Sequence, residues 1–66
     1  MAYFVEFYDP AGNHVGTRSL FADTDANATH EARSLLCMMP TWDKTTIRLF
    51  RQSAKENVTE IATISR

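Results

Sequence analysis

A chain of 66 residues makes one domain, spanning 1–66, near the lower limit for folding without help. Its 44% hydrophobic and 11% aromatic content exclude a disordered segment, and a formal net charge of −1 with both signs interspersed excludes the basic stripe of a non-specific nucleic-acid binder. The single cysteine, Cys37, excludes an internal disulfide, and with only His14 and His30 beside it lacks zinc-type spacing, which leaves self-association or an unusually well-packed core to supply stability.

Residues Ala2 to Tyr8 are dense in aromatic and β-branched types, which favour a pleated, half-buried strand. Asp9-Pro10-Ala11-Gly12-Asn13 breaks the run. Proline presets φ, aspartate bonds back to the backbone and glycine tolerates positive φ, so a hairpin with a glycine bulge is expected. The return strand reads as His14 to Ala22.

Asp23-Thr24-Asp25 supplies side-chain oxygens to cap a helix, with negative charge at the positive end of its dipole. From there Ala28, Ala32, Leu35, Leu36 and Met39 recur at helical spacing within a stripe about 100° wide, the width of a core-facing surface. Pro40 stops the helix, and Thr41 to Asp43 form a loop carrying Trp42, which either closes one end of the core or anchors a partner.

Lys44 to Gln52 reads as a third strand, Ser53 to Asn57 as a turn, and Val58 to Ser65 as a fourth strand. In the last, Val58 and Ile64 fall on one side and Ile61 on the other. A bulge, burial on both faces or a shifted boundary would each account for that. The expected fold is α+β, ββαββ, with one helix packed on one face of a small, mainly antiparallel four-stranded sheet. Strand order stays open; a β2–helix–β3 crossover would be right-handed if those strands are parallel.

One helix shields only one side of such a sheet. Period-two alternation sorts Tyr3, Val5 and Phe7 from Phe4, Glu6 and Tyr8, and the charged residue places the second set away from the helix. The same argument turns Arg48 and Phe50 outward in the third strand. In the second, it turns Val15, Thr17 and Phe21 inward and His14, Arg18 and Leu20 outward. The expected binding surface is therefore Phe4, Glu6, Tyr8, Arg18, Leu20, Arg48 and Phe50, the aromatic-with-arginine composition enriched at protein interfaces.

Catalytic signals are weak. Cys37 lies in the last helical turn, where the dipole disfavours a thiolate. His30, Ser34 and Cys37 share the polar side of the helix, but His30 and Cys37 are about 10 Å apart in helix rise, too far for proton transfer. Asp23 and Asp25 could bind a divalent cation, yet capping explains them better. Gly12 and Gly16 form no phosphate cradle.

These residues describe a non-catalytic protein-interaction module, without cofactor or metal, that acts by occupying a partner's surface. Its partner is another protein, a second copy included; neither nucleic acid nor membrane is expected. One concrete form is a phage or mobile-element inhibitor of a bacterial defence complex, anti-CRISPR-like, suggested by small size and missing chemistry alone. The alternative is a sheet-face binder of single-stranded nucleic acid, with Phe4, Tyr8 and Phe50 stacking bases and Arg18 and Arg48 holding phosphates. An enzyme ranks third, because one helix over a small sheet offers little concavity. No apolar run reaches the ~20 residues of a membrane helix. No leader sequence is evident, and a lone reduced cysteine points to the cytoplasm. On that basis the sequons at Asn27 and Asn57 are chance matches.

Overall fold

The computed structural model describes residues 2–39 and 44–65. Five elements follow in chain order: β1 (Ala2–Tyr8), β2 (His14–Ser19), α1 (Asp25–Cys37), β3 (Thr46–Ala54) and β4 (Asn57–Ile64). The fold is α+β, ββαββ, as expected. Its four strands form one antiparallel sheet in the order β2-β1-β3-β4, with α1 packed against one side. Since β2 and β3 both run antiparallel to β1, they are parallel to each other, and the connection through α1 spans the intervening strand. The expectations for Pro40 and for the Thr41 to Asp43 loop with Trp42 lie outside the described residues.

The first hairpin closes as its sequence requires. Gly12 N–H donates to the Asp9 carbonyl (2.9 Å), Asp9 N–H to the Asn13 carbonyl (3.0 Å), and Asp9 Oδ1 accepts from Asn13 N–H (2.8 Å). Gly12 has φ of 89°, a conformation open to glycine and costly for residues with a Cβ. At the helix start Thr24 is the N-cap: its hydroxyl accepts from Asn27 N–H at 3.2 Å. Glu31, one turn further on, reaches back to accept from the backbone N–H groups of Phe21 and Ala22, which fixes the approach of the chain to the helix.

The core lies between α1 and one sheet face. Ala28, Ala32 and Leu36 from the helix meet Tyr3, Val5, Ile47, Leu49 and Ile64 from the strands, and Leu35 and Met39 pack around them. This is the expected helical stripe. It sits mainly over β3 and β4, so β2 projects past the helix and is exposed along nearly its whole length. No described helix is long and apolar enough to cross a membrane.

The irregular pattern in β4 is a bulge. Leu49 pairs with Ala62 and Phe50 with Glu60, which leaves Ile61 as the extra residue. The insertion reverses the alternation, so Val58 pairs with Gln52 on the open side while Ile64 pairs with Ile47 on the helix side. A second irregularity lies at the other edge: Phe7 pairs with Gly16 and Tyr8 with His14, leaving Val15 unopposed.

That second bulge and the true register of β2 correct the sequence expectation for this strand. Arg18 pairs with Val5, whose side chain is wholly buried on the helix side, so Arg18 belongs to that side and not to the open one. Leu20 likewise packs against the core. Thr17, expected inside, pairs with Glu6 on the open side. Val15 and Phe21, also expected inside, are 60% and 93% exposed. The physical reason is coverage: β2 extends beyond α1, so its helix-side positions need not be apolar and its polar–apolar order no longer reports direction.

Candidate functional site

The uncovered face is built from cross-strand rows. One runs Ser19–Phe4–Phe50–Glu60, the next Thr17–Glu6–Arg48–Thr63, and a third His14–Tyr8–Thr46. Five of the seven expected surface residues, Phe4, Glu6, Tyr8, Arg48 and Phe50, come together here. Arg18 and Leu20 do not.

The side chains in these rows form a continuous ladder. Phe4 and Phe50 stack with ring centroids 5.1 Å apart and planes inclined by 13°. The Arg48 guanidinium lies 5.3 Å from the Phe50 ring centre and 5.4 Å from that of Tyr8, and Tyr8 meets the His14 ring at 5.5 Å. Ring, ring, guanidinium, ring and imidazole thus succeed one another across three strands. Each cation–aromatic contact contributes on the order of 0.5–1 kcal/mol at an exposed site.

Hydrogen bonds hold the ladder in place. Arg48 Nε donates to Glu60 Oε1 at 3.0 Å, Nη2 pairs with the same oxygen, and Nη1 reaches the Tyr8 hydroxyl at 3.4 Å. Thr63 donates to Glu60 Oε2 at 2.8 Å, and the Tyr8 hydroxyl donates to Glu6 Oε1 at 2.6 Å. These bonds move the titrations apart. The Arg48 guanidinium holds Glu60 below the ordinary carboxylate range, with help from Thr63, and Glu60 in turn raises Arg48. The bond to Glu6 raises the Tyr8 phenol. Chemically the face is a preorganised platform of rings and a guanidinium.

Sequence reasoning missed Glu60, Thr63, Thr17 and Ser19 on this face. Glu60 and Thr63 become visible only when the bulge at Ile61 is placed, and Thr17 and Ser19 only when the β1–β2 register is known. Nothing in the residue types of either strand signals where that bulge falls or which register is adopted.

The helix side offers a second polar cluster. Buried Tyr3 donates to Asp25 Oδ1 at 2.5 Å, and Arg51 Nη1 donates to Asp25 Oδ2 at 2.7 Å. The Tyr3 bond, followed by that of Arg51, depresses the Asp25 titration, and the Tyr3 phenol is raised by the same bond. Asp25 thus ties the helix start to β1 and β3. Asp23 accepts from the Asn27 side chain at 3.2 Å, so both aspartates have protein partners. Among the described residues, no three His, Cys, Asp or Glu side chains gather as a metal site would require.

The trio on the polar face of α1 is divided. His30 and Ser34 line an open groove of about 500 Å³ beside Phe21, whereas Cys37 lines a different one of about 400 Å³ beside Thr63 and Ile64. Ser34 Oγ donates to the His30 carbonyl at 3.0 Å, which occupies its proton. No protein-family model matches the chain, and no curated protein or solved structure matches it.

Proposed function

We propose that this protein is a non-catalytic interaction module that recognises another protein with its open sheet face. The observation that supports this most directly is the ordered ring–guanidinium ladder on a face that α1 leaves bare. Rings already fixed by stacking and hydrogen bonds lose little entropy on docking, and aromatic and arginine side chains supply most interface energy. The sheet edges are less suited to the task. Each carries a bulge, at Val15 and at Ile61, and bulged edges resist pairing with a further strand.

The nucleic-acid alternative loses ground on geometry. Its two cations were Arg18 and Arg48; the first belongs to the other side of the sheet, and the second is engaged by Glu60. A protein partner, a second copy included, fits the face better. An inhibitor that occupies a partner's surface fits this mode, and the phage-borne, anti-CRISPR-like form remains its concrete version. Restored phage plating on a defence-bearing host that expresses the protein would support that form; unchanged plating across the defence systems tried would discard it.

The general reading is tested with Phe4→Ala and Phe50→Ala. Both variants should stay folded by circular dichroism, lose about tenfold or more in partner capture, and no longer self-associate in light scattering if the partner is a second copy. Capture and oligomeric state unchanged in both variants would overturn it.

A further inference from the structure

The open face shows how it holds a guanidinium, because it already holds one of its own. Arg48 sits against the Phe50 and Tyr8 rings while the Glu60 carboxylate accepts hydrogen bonds from its Nε and Nη2. Flat ring surface and a carboxylate beside it are the two requirements of such a seat. The same pair of groups recurs on β1. Among the described residues the Phe4 ring stacks only on Phe50, and the position beside it on the other strand, β2, is the small Ser19. Two residues along β1 is Glu6, which uses Oε1 to accept from Tyr8 and has no bond at Oε2 among the described residues.

Charge points the same way. Among the described residues the face has two carboxylates, Glu6 and Glu60, and one guanidinium, Arg48, already neutralised by Glu60. Glu6 is left as the uncompensated charge beside an aromatic surface. An approaching phosphate backbone is repelled there, and a cation with a flat face is favoured.

We propose, resting on the interface reading above, that the partner surface presents arginine, and that one of its guanidinium groups seats against Phe4 over Ser19 and pairs with Glu6. The chain thus recognises a basic protein surface by repeating its own Arg48 arrangement once more across the strand pair. Planarity makes the site prefer arginine to lysine, since an ammonium cannot stack or offer a fork.

The test uses the intact protein, isotope-labelled for amide NMR, titrated with a capped pentapeptide bearing two arginines, its two-lysine counterpart and a short oligothymidine. The expected result is shifts centred on Phe4, Glu6, Thr17 and Ser19 with the arginine peptide, and several-fold weaker binding of the lysine peptide. Glu6→Gln should weaken the arginine peptide about three- to tenfold while its spectrum stays dispersed. Ser19→Arg, which places a guanidinium beside Phe4 within the chain, should block the peptide.

Four outcomes overturn the proposal: no shifts at saturating peptide, shifts centred on Asp23, Asp25 and Glu31, equal affinity for lysine, or stronger binding of the oligothymidine. Partner capture that survives Glu6→Gln but fails with Phe50→Ala removes the arginine assignment and leaves the interface reading standing. Capture that survives both substitutions removes the two together.

Discussion

The two faces of this sheet are made by the same strands, residue by residue in alternation, yet they are held together differently. On the helix side, Val5, Ile47 and Leu49 are fully buried and meet Ala28, Ala32 and Leu36 in a layer stabilised by exclusion of water. On the open side, Phe4, Tyr8, Arg48 and Phe50 are half-buried by one another, through ring stacking, cation–aromatic contact and ion pairing. The lesson is that partial burial can arise without a covering element. A face stabilised internally in this way stays ordered while remaining open to solvent.

The contrast can be broken most strongly from the helix side. Leu49→Ala should cost about 2–5 kcal/mol in urea unfolding, because a wholly buried side chain leaves a cavity that a two-layer fold fills poorly. Phe50→Ala should cost less, about 1 kcal/mol for the lost ring pair, while its effect on partner capture is the larger one. If Phe50→Ala proves as destabilising as Leu49→Ala, the open face is part of the fold and not a surface held in readiness. Gly12→Ala leaves both faces alone and should cost about 1 kcal/mol through its φ of 89°; no side chain crowds that position.

Acid acts on both faces, through one carboxylate on each side. Asp25 on the helix side is held below its ordinary value of 3.8 by Tyr3 and then Arg51, and Glu60 on the open side below 4.5 by Arg48 and then Thr63. As pH falls the unfolded chain takes up these protons first. The stability they contribute is therefore present above the ordinary carboxylate values and is lost as pH drops through the lower native ones. The melting temperature should hold level from about pH 7 to about pH 5 and decline below that, and Asp25→Asn or Glu60→Gln should each flatten part of the decline. Tyr3 and Tyr8, raised above 10.0 by Asp25 and Glu6, work at the other end: the unfolded chain loses their protons first, so stability falls as pH climbs past the ordinary phenol value.

Most of the architecture was legible in the residues. The aromatic run from Ala2 to Tyr8, the Asp9 to Asn13 turn and the Ala28–Ala32–Leu36 stripe each signal one element by local chemistry, and each is found. Five of the seven expected surface residues followed from alternation in β1 and β3, the two central strands, where burial on one side enforces a polar–apolar rhythm. The failures lie in β2. An edge strand beyond the helix has no buried side to enforce the rhythm, and the bulge at Val15 shifts its phase, so plain alternation puts Arg18 and Leu20 on the wrong side. In β4 a bulge was among the explanations left open, but its position at Ile61 depends on pairing with β3 and not on the strand's own residues. Partner identity is a property of a surface and of whatever meets it, which a single chain records only as charge and shape.

The overhang of β2 also has a kinetic consequence. Its amides are bonded to a neighbour on one flank only, with no roof above them, so this strand should breathe first when the molecule opens locally. Ser19, at the seat proposed for an incoming guanidinium, belongs to that loosely held strip. An occupant gripping both Ser19 and Phe4 would tie this edge strand to a central one, and slower deuterium uptake along residues 14–19 would be its earliest signature.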